Sequence, residues 1–492
     1  MLPPDYMTQR AVAAPEHARR EQHLEHLRGL RERLAGRVVS KGDDGWGRAR
    51  LAWNLAADQR PPLIAYPETT NDVDELVAFA RARDLRLVPQ GTGHGAVPLG
   101  KIEDGVLVTT SRMRELDIDP GQRRARVGAG VTWGELQAAA AIHGLTGLAG
   151  SSPNVGVVGY TLGGGLGWMA RRYGLACNSV LAFDIVTADR RRLRVDHENE
   201  PDLFWALRGG GGSFAIVTAL EFALYPVREP YAGALFWPLE RAAGILGAWQ
   251  AWAAGIPDTV TSVGRLLNVP ADSEMPARLR GRSFVLIEAA CLATEDDGIE
   301  LLRPLRELDP EIDTFAMLPP AGLGDLHMDP VGPVPAFIDG WLLRDLPPAA
   351  IDALVRTAGA GSESPLLSVE LRHLGARLAD AAADHGALAS LEAGFATATY
   401  SVVPDTDRAI AVGRHAAMLR SSLTPWEAER NYPNFAERSF HLADLFSPAA
   451  CERLGRVKAQ YDPEDLIVAT HPVPGGDRAE VLKGHARAHD GR

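Results

Sequence analysis

Gly91-Thr92-Gly93-His94-Gly95 follows the short apolar run Leu85-Arg86-Leu87-Val88, which reads as a strand. Two more glycine-dense stretches lie downstream: Gly159-Tyr160-Thr161-Leu162-Gly163-Gly164-Gly165-Leu166-Gly167, and Gly209–Gly212. Glycine takes positive φ without a Cβ clash, and its backbone N–H groups are free to turn toward an anion. A single such turn carries little weight. Three of them, each beside a strand or helix pattern, favour a large phosphate-bearing cofactor over plain tight turns. The two standard phosphate signatures do not fit. Gly128-Ala129-Gly130-Val131-Thr132-Trp133-Gly134 misses the dinucleotide spacing by one residue, and Gly91–Ala96 runs on to Pro98 instead of opening a helix. No glycine precedes Lys-Ser or Lys-Thr in the phosphate-loop pattern.

Outward from these loops the pattern is regular. Leu63–Tyr66 is an apolar run ended by Pro67. Asn71 or Thr70 is then placed to cap a helix with an acidic first turn (Asp72, Asp74, Glu75) and an apolar face of Val73, Leu76, Val77 and Ala80. Gly105–Thr109 and Arg124–Val127 read as strands, and Thr132 with Glu135 makes a capping box for a helix to about Ile142. Val180–Thr187 and Leu193–Val195 form a hairpin pattern, Asp202–Leu207 a short helix, and Ala215–Leu224 a strand. Leucines 24, 27, 30 and 34 mark an amphipathic helix within residues 16–36 that packs on its own domain. After Tyr225-Pro226 the texture changes to Ala-rich helical stretches mixed with strand-like segments such as Phe284–Ala289 and Ala398–Val403, which places a domain boundary there.

A chain of 492 residues, 46% apolar and 23% charged, has ordinary globular composition and length enough for two domains. The net charge of -12 disfavours nucleic acid, and the short runs Arg171-Arg172 and Arg190–Arg194 read as solvated surface. Cys177, Cys291 and Cys451 are an odd, scattered set, neither a disulfide framework nor a metal site. Met1–Arg20 lacks the apolar core of a signal peptide, and no stretch reaches the ~18 apolar residues of a membrane span. The expectation is a soluble, cytoplasmic protein without metal, membrane or nucleic-acid partners. Its oligomeric state is not legible.

The segment from about 60 to 228 resembles the FAD-binding domain of the berberine-bridge-enzyme-like oxidases, within the vanillyl-alcohol-oxidase (PCMH-type) superfamily. Gly91–Gly95 looks like that family's attachment loop, whose histidine bonds the flavin 8α carbon. Ser152-Pro153-Asn154-Val155-Gly156 with Gly159–Gly167 looks like its second flavin loop, and Phe204–Arg208 with Gly209–Gly212 and Ser213-Phe214-Ala215-Ile216-Val217 like its third. Tyr432-Pro433-Asn434-Phe435 and Tyr461-Asp462-Pro463 resemble its C-terminal return segment.

The resemblance implies an α+β fold of two domains, the second built on an antiparallel sheet covered by helices. It divides the chain into an N-terminal segment 1–58, an FAD domain 59–228, a substrate domain 229–430 and a return segment 431–492. It implies flavin contacts from Gly91, Thr92, Gly93, His94, Gly95, Ser152, Pro153, Val155, Gly156, Gly159, Gly163, Gly164, Gly165, Gly167, Gly212, Ile216, Val217, Tyr432 and Asn434. One departure matters. Bicovalent members carry a cysteine directly before the second-loop proline, where this chain has Ser152, and a hydroxyl does not replace a thiolate. Attachment at His94 alone is expected, with Cys177 a buried structural thiol.

The implied reaction is hydride removal from an alcohol or amine carbon of a small molecule, with O2 as electron acceptor. A dehydrogenase of the same fold and a flavin protein without turnover are the alternatives. Loss of the O–H or N–H proton calls for a base. Tyr432 and Glu370 are the leading candidates, with Tyr400 and His373 behind them. Phe435 stands where the family often has a second tyrosine and takes no proton. Glu370 has two readings, a group aimed into the substrate cavity or a partner of Arg372 on a sheet face. His471 reads as closing the return segment over the flavin. The preference for Arg and Ala over Lys points to a GC-rich bacterial genome, where such oxidases often serve natural-product biosynthesis.

Overall fold

The computed structural model describes residues 25–271, 276–438 and 440–475, and among them three sheets carry the architecture. The first sheet has the strand order Arg37–Ser40, Leu63–Tyr66, Gly105–Thr109, Arg86–Gln90, antiparallel at its first pairing and parallel at the other two. Its parallel strands are buried on both faces, which is why they read as unbroken apolar runs. Leu63, Ala65, Leu87, Val106 and Val108 pack on one side against Val73, Leu76, Val77 and Ala80 of the helix Thr70–Arg81. Ile64, Val88 and Leu107 pack on the other side with Val39 and Ile102.

The second sheet is antiparallel, in the order Leu116–Asp119, Arg124–Gly128, Ala215–Ala223, Val180–Thr187, Arg192–Val195. The expected hairpin is the Val180–Thr187 and Arg192–Val195 pair. Gly91–Gly95 follows the strand Arg86–Gln90, Gly209–Gly212 leads into the strand Ala215–Ala223, and Gly159–Gly167 begins inside the short helix Val157–Leu162 between the two.

The third sheet is also antiparallel, in the order Ile312–Asp313, Tyr231–Pro238, Ser283–Cys291, Val260–Asn268, Ser368–His373, Phe395–Val402, Ala336–Leu343, with Ala316–Met317 beside Tyr231–Pro238. Helices Ala242–Ala253, Pro348–Ala358 and Thr406–Leu423 cover one face, burying Trp249, Leu354 and Leu419 against Val369 and Leu371. The expected α+β architecture, with a helix-covered antiparallel sheet, is the one observed.

Local signals fared unevenly. The Glu135 capping box forms, its carboxylate accepting the Thr132 N–H at 2.9 Å at the start of Trp133–Ala141. The cap of the earlier helix is Thr69, not Asn71 or Thr70: its hydroxyl accepts from the Asp72 N–H, and Asp72 accepts in return from the Thr69 N–H. Asp72, three residues on, decides the choice. Residues 25–33 are helical with Leu27, Leu30 and Leu34 buried in the core, while residues 16–24 of the expected helix lie outside the described residues.

Arg171 is not surface. It is buried and donates to the carbonyls of Val260 (2.7 Å), Leu374 (3.0 Å) and Pro257 (3.2 Å), tying the glycine-loop region to the third sheet. Arg172 pairs with Asp258, and Arg190–Arg194 are spent on Asp74, Asp184, Asp189, Glu200 and Glu221. Among the described residues no helix is long and apolar enough to cross a membrane.

Candidate active site

The first glycine loop folds around one ring. Gly93 has φ +84°, and a Cβ there would lie 2.7 Å from the Ala52 Cβ, so only glycine passes. The turn presents His94 to Trp53, which stacks on it with centroids 4.1 Å apart and planes 17° from parallel. The Thr92 hydroxyl sits 2.7 Å from His94 Nδ1, while Nε2 is buried without a partner. Burial lowers the imidazole pKa to about 4, so the ring is neutral at ordinary pH and keeps one unshared nitrogen lone pair.

The second loop and the return segment are locked together. Asn434 donates to the Tyr160 carbonyl at 2.9 Å, and a Cβ on Gly163 would stand 1.8 Å from its Oδ1. The Tyr432 hydroxyl accepts from the Leu166 N–H at 2.8 Å and from Asn434 Nδ2 at 3.2 Å. Burial pushes the Tyr432 hydroxyl well above its ordinary range. Further along, buried Lys458 donates to the Ser213 carbonyl (2.9 Å), Asp462 (2.5 Å) and the Ile467 carbonyl (3.2 Å), which fixes the return segment beside the third glycine loop. His471 Nε2 lies 3.1 Å from the Pro433 carbonyl oxygen and closes that segment on itself.

These loops and the uncovered face of the third sheet enclose one cavity of about 400 Å³. Most of the sequence-predicted residues line it: Gly91 through Gly95, Ser152, Val155, Gly156, Gly159, Gly163, Gly212, Val217, Tyr432, Asn434, Glu370 and Tyr400. Five do not. Gly164, Gly165 and Gly167 allow close packing on Tyr432, Tyr160 and Ala149, Pro153 backs onto Gly134, and Ile216 is core. His373 is turned away by the strand's alternation and lies near Phe395, whereas Ser368, Glu370 and Arg372 face the cavity.

The wall suits a long cofactor. A Cβ on Gly95, Gly159 or Gly211 would meet no protein atom within 4 Å, so three cavity-lining positions leave room exactly where side chains would intrude on a ligand. The buried orphan Nε2 of His94 opens on the same wall, as does the unpartnered hydroxyl of Ser152. None of the three cysteines lines it, and burial pushes Cys177 up to about 12.

The opposite wall is a charge network. Both expected readings of Glu370 hold together: it lines the cavity, and Arg372 Nη2 lies 3.2 Å from each of its oxygens. His327 Nε2 bonds Glu370 Oε2, and His327 Nδ1 lies 2.7 Å from Glu288 Oε2. Arg265 completes the set, 3.3 Å from Glu288 and donating to Ser368 Oγ and the His327 carbonyl at 2.7 Å each. Burial alone would raise Glu370; the charges of Arg372 and His327 outweigh it and hold the carboxyl well below its ordinary range. Tyr400, whose hydroxyl has no partner, is pushed well above its ordinary range by burial.

Sequence reading missed His327, Glu288, Arg265 and Asp329. Glu288 carried a signal, a lone carboxylate inside Phe284–Ala290 that a buried strand tolerates only with a partner. His327 carried none.

Residues 61–196 match the family described as FAD binding domain. An uncharacterized FAD-linked oxidoreductase of Bacillus subtilis (strain 168) is 31% identical over 235 residues, 47% of this chain and 52% of the relative. The (R)-6-hydroxynicotine oxidase of Paenarthrobacter nicotinovorans is 27% identical over 88% of this chain and 95% of its own. The solved structure of wild-type BBE-like 1 from Physcomitrella patens superposes with a TM-score of 0.78 at 20% identity, covering 91% of this chain and 99% of that one. The chain thus carries an FAD-binding domain, is similar to FAD-linked oxidoreductases over most of its length, and shares the two-domain fold of the berberine-bridge-enzyme-like structures.

Proposed function

We propose that this enzyme is an oxidase that removes a hydride from an alcohol or amine carbon of a small molecule, with FAD attached through His94 alone and O2 as the final acceptor. The observation that carries the reading is Glu370, an ionised carboxylate that faces the same cavity as the unshared nitrogen of His94. When bound, the flavin supplies the hydride-accepting step. The chain's own residues do the rest. Nε2 of His94 is the free nitrogen for attachment, because Nδ1 is engaged by Thr92. Ser152 on the cavity wall leaves no second, thiolate attachment.

Glu370 takes the substrate's O–H or N–H proton. A carboxylate held well below its ordinary range is a weak base that is always ready, and weakness suffices because the proton becomes strongly acidic as hydride leaves. Tyr432 is set aside as the base: burial keeps its hydroxyl protonated, and two donors already occupy its oxygen. Tyr400 serves as a hydrogen-bond donor to the substrate, its hydroxyl being unpartnered on the wall. Arg372 keeps Glu370 ionised and lies 5.1 Å from the Phe435 ring centroid, which forms an apolar shelf.

An amine substrate draws support from the (R)-6-hydroxynicotine oxidase relative, and a role in natural-product biosynthesis remains within this reading. The test has two parts. Acid precipitation of wild type and His94→Ala is expected to leave flavin in the wild-type pellet only; flavin released from both ends the covalent reading. A screen of amines, alcohols and saccharides is expected to release hydrogen peroxide. Flavin reduction without peroxide would make the enzyme a dehydrogenase, and no reduction by any compound would favour a flavin protein without turnover.

A further inference from the structure

The charge network on the substrate wall is assembled from four places in the chain. Glu288 comes from Ser283–Cys291, Arg265 from Val260–Asn268, Glu370 and Arg372 from Ser368–His373, and His327 from the loop that follows residues 320–325. The sheet register explains how the strands contribute. Arg265 is paired with Glu370, and Glu288 with Val263, so all three side chains rise from one face of neighbouring strands. The loop then lowers the His327 ring between the two carboxylates, each ring nitrogen meeting one of them. Trp168 meets the imidazole edge-on at 6.0 Å, and His327 is only 4% exposed.

We infer that His327 is a positioning residue that acts as an imidazolium between Glu288 and Glu370, fixing the Glu370 carboxylate for proton transfer, so that the three side chains behave as one protonation unit. The inference rests on the reading of Glu370 as the base. Three observations carry it.

First, the charges next to the ring favour its cationic form: Glu288 and Glu370 flank it directly, half-buried Asp329 lies two residues on, and Arg265 opposes it. Among the groups packed around the ring, Arg265 opposes its charge and the two carboxylates favour it, and Tyr400 across the cavity is neutral. Second, His327 Nε2 bonds Glu370 while Nδ1 lies 2.7 Å from Glu288 Oε2, so each side of the ring faces a carboxylate, a placement that favours the protonated form. Third, Glu370 is gripped from two sides, by His327 on Oε2 and by Arg372 on both oxygens, so the carboxylate cannot rotate and the lone pair left over faces the cavity.

In the proton step the substrate's O–H or N–H bond breaks and a new O–H forms on Glu370, while the electron pair left on the heteroatom becomes the double bond to the carbon whose C–H bond breaks, its hydride going to the oxidant that bound FAD would supply. The imidazolium keeps its own protons throughout. Glu288, with no exposure and no place on the cavity wall, touches the reaction only through His327. A metal reading of the same side chains is not favoured, since they bond to one another, and among the described residues no group of His, Cys, Asp or Glu is arranged to hold one.

The test uses the flavin-loaded enzyme with pH as the probe, so no substrate is needed. With 15N-histidine and 13Cδ-glutamate labelling, the His327 and Glu370 signals are assigned by their loss in His327→Gln and Glu370→Gln. The expected result is an imidazolium at pH 7 in wild type, lost at that pH in Glu288→Gln. In His327→Gln, which keeps a hydrogen-bond donor but no charge, the Glu370 carboxyl should titrate higher by about one pH unit or more. A His327 that is neutral at pH 7, or a Glu370 titration unchanged in His327→Gln, overturns the inference. If His327→Gln does not fold with flavin, Glu288→Gln reads the same coupling from the far side, and an unmoved Glu370 there overturns it equally. The base reading fails separately: a Glu370→Gln enzyme reduced by its substrate at the wild-type rate removes the base, while the His327 coupling would still be measured.

Discussion

The two walls of the cavity are built by different physics. The flavin wall is backbone: glycine turns, a stacked neutral histidine and amide contacts such as Asn434 to the Tyr160 carbonyl. The substrate wall is side-chain charge: two arginines, two glutamates and a histidine held in mutual contact with little exposure. Backbone constraints bind the cofactor wherever the substrate varies, because they ask only for the absence of a Cβ. Charge constraints are specific to a reaction, and each member depends on the others, since removing one partner strands the rest.

Glu370→Gln is the strongest way to break this contrast. It should slow flavin reduction by substrate about 10²–10⁴-fold while leaving flavin content unchanged, measured by anaerobic stopped-flow and by absorbance of the purified protein. Loss of flavin instead would mean that the walls are not separable. Lys458→Met strikes the flavin side from behind. Removing one partner of this buried pair should destabilise the protein by about 3–5 kcal/mol, read by denaturant unfolding, with the reduction rate of surviving holoenzyme little changed. A smaller effect sharpens the comparison. His327, ordinarily at 6.5, is raised to about 9: burial lowers it, and Glu288 with Glu370 more than reverse that against the opposition of Arg265. A raised histidine stabilises the fold fully below 6.5 and loses that contribution as pH climbs through about 9. Wild-type unfolding temperature should therefore fall across that window more steeply than that of His327→Gln. Parallel curves would show the ring uncharged.

The same contrast explains what could be read from sequence. Gly91–Gly95, Gly159–Gly167 and Gly209–Gly212 were legible because a glycine loop is a local object whose meaning lies in consecutive residues. The hairpin around 188–190 and the Glu135 capping box were legible for the same reason. The Thr69 cap is legible only when Asp72 is read as its reciprocal partner rather than as first-turn charge alone. The burial of Arg171 is not legible, because nothing nearby in sequence announces the Val260 and Leu374 carbonyls it reaches. His327 is the extreme case. Its partners stand 39 and 43 positions away on different strands, and no periodicity links them.

The return of the chain to the glycine loops also sets an order of events. Asn434 meets a carbonyl 274 positions earlier, and Lys458 meets one 245 positions earlier. The cofactor cleft therefore lacks its last wall until residues as far as Lys458 have been made, and the early glycine-rich segments wait unfinished while the large antiparallel sheet is made and folded. Contacts of such long range close slowly and leave apolar strands exposed meanwhile. Cofactor capture is thus a post-synthetic event. Yield of folded holoenzyme should therefore depend on flavin supply and on growth temperature during that interval.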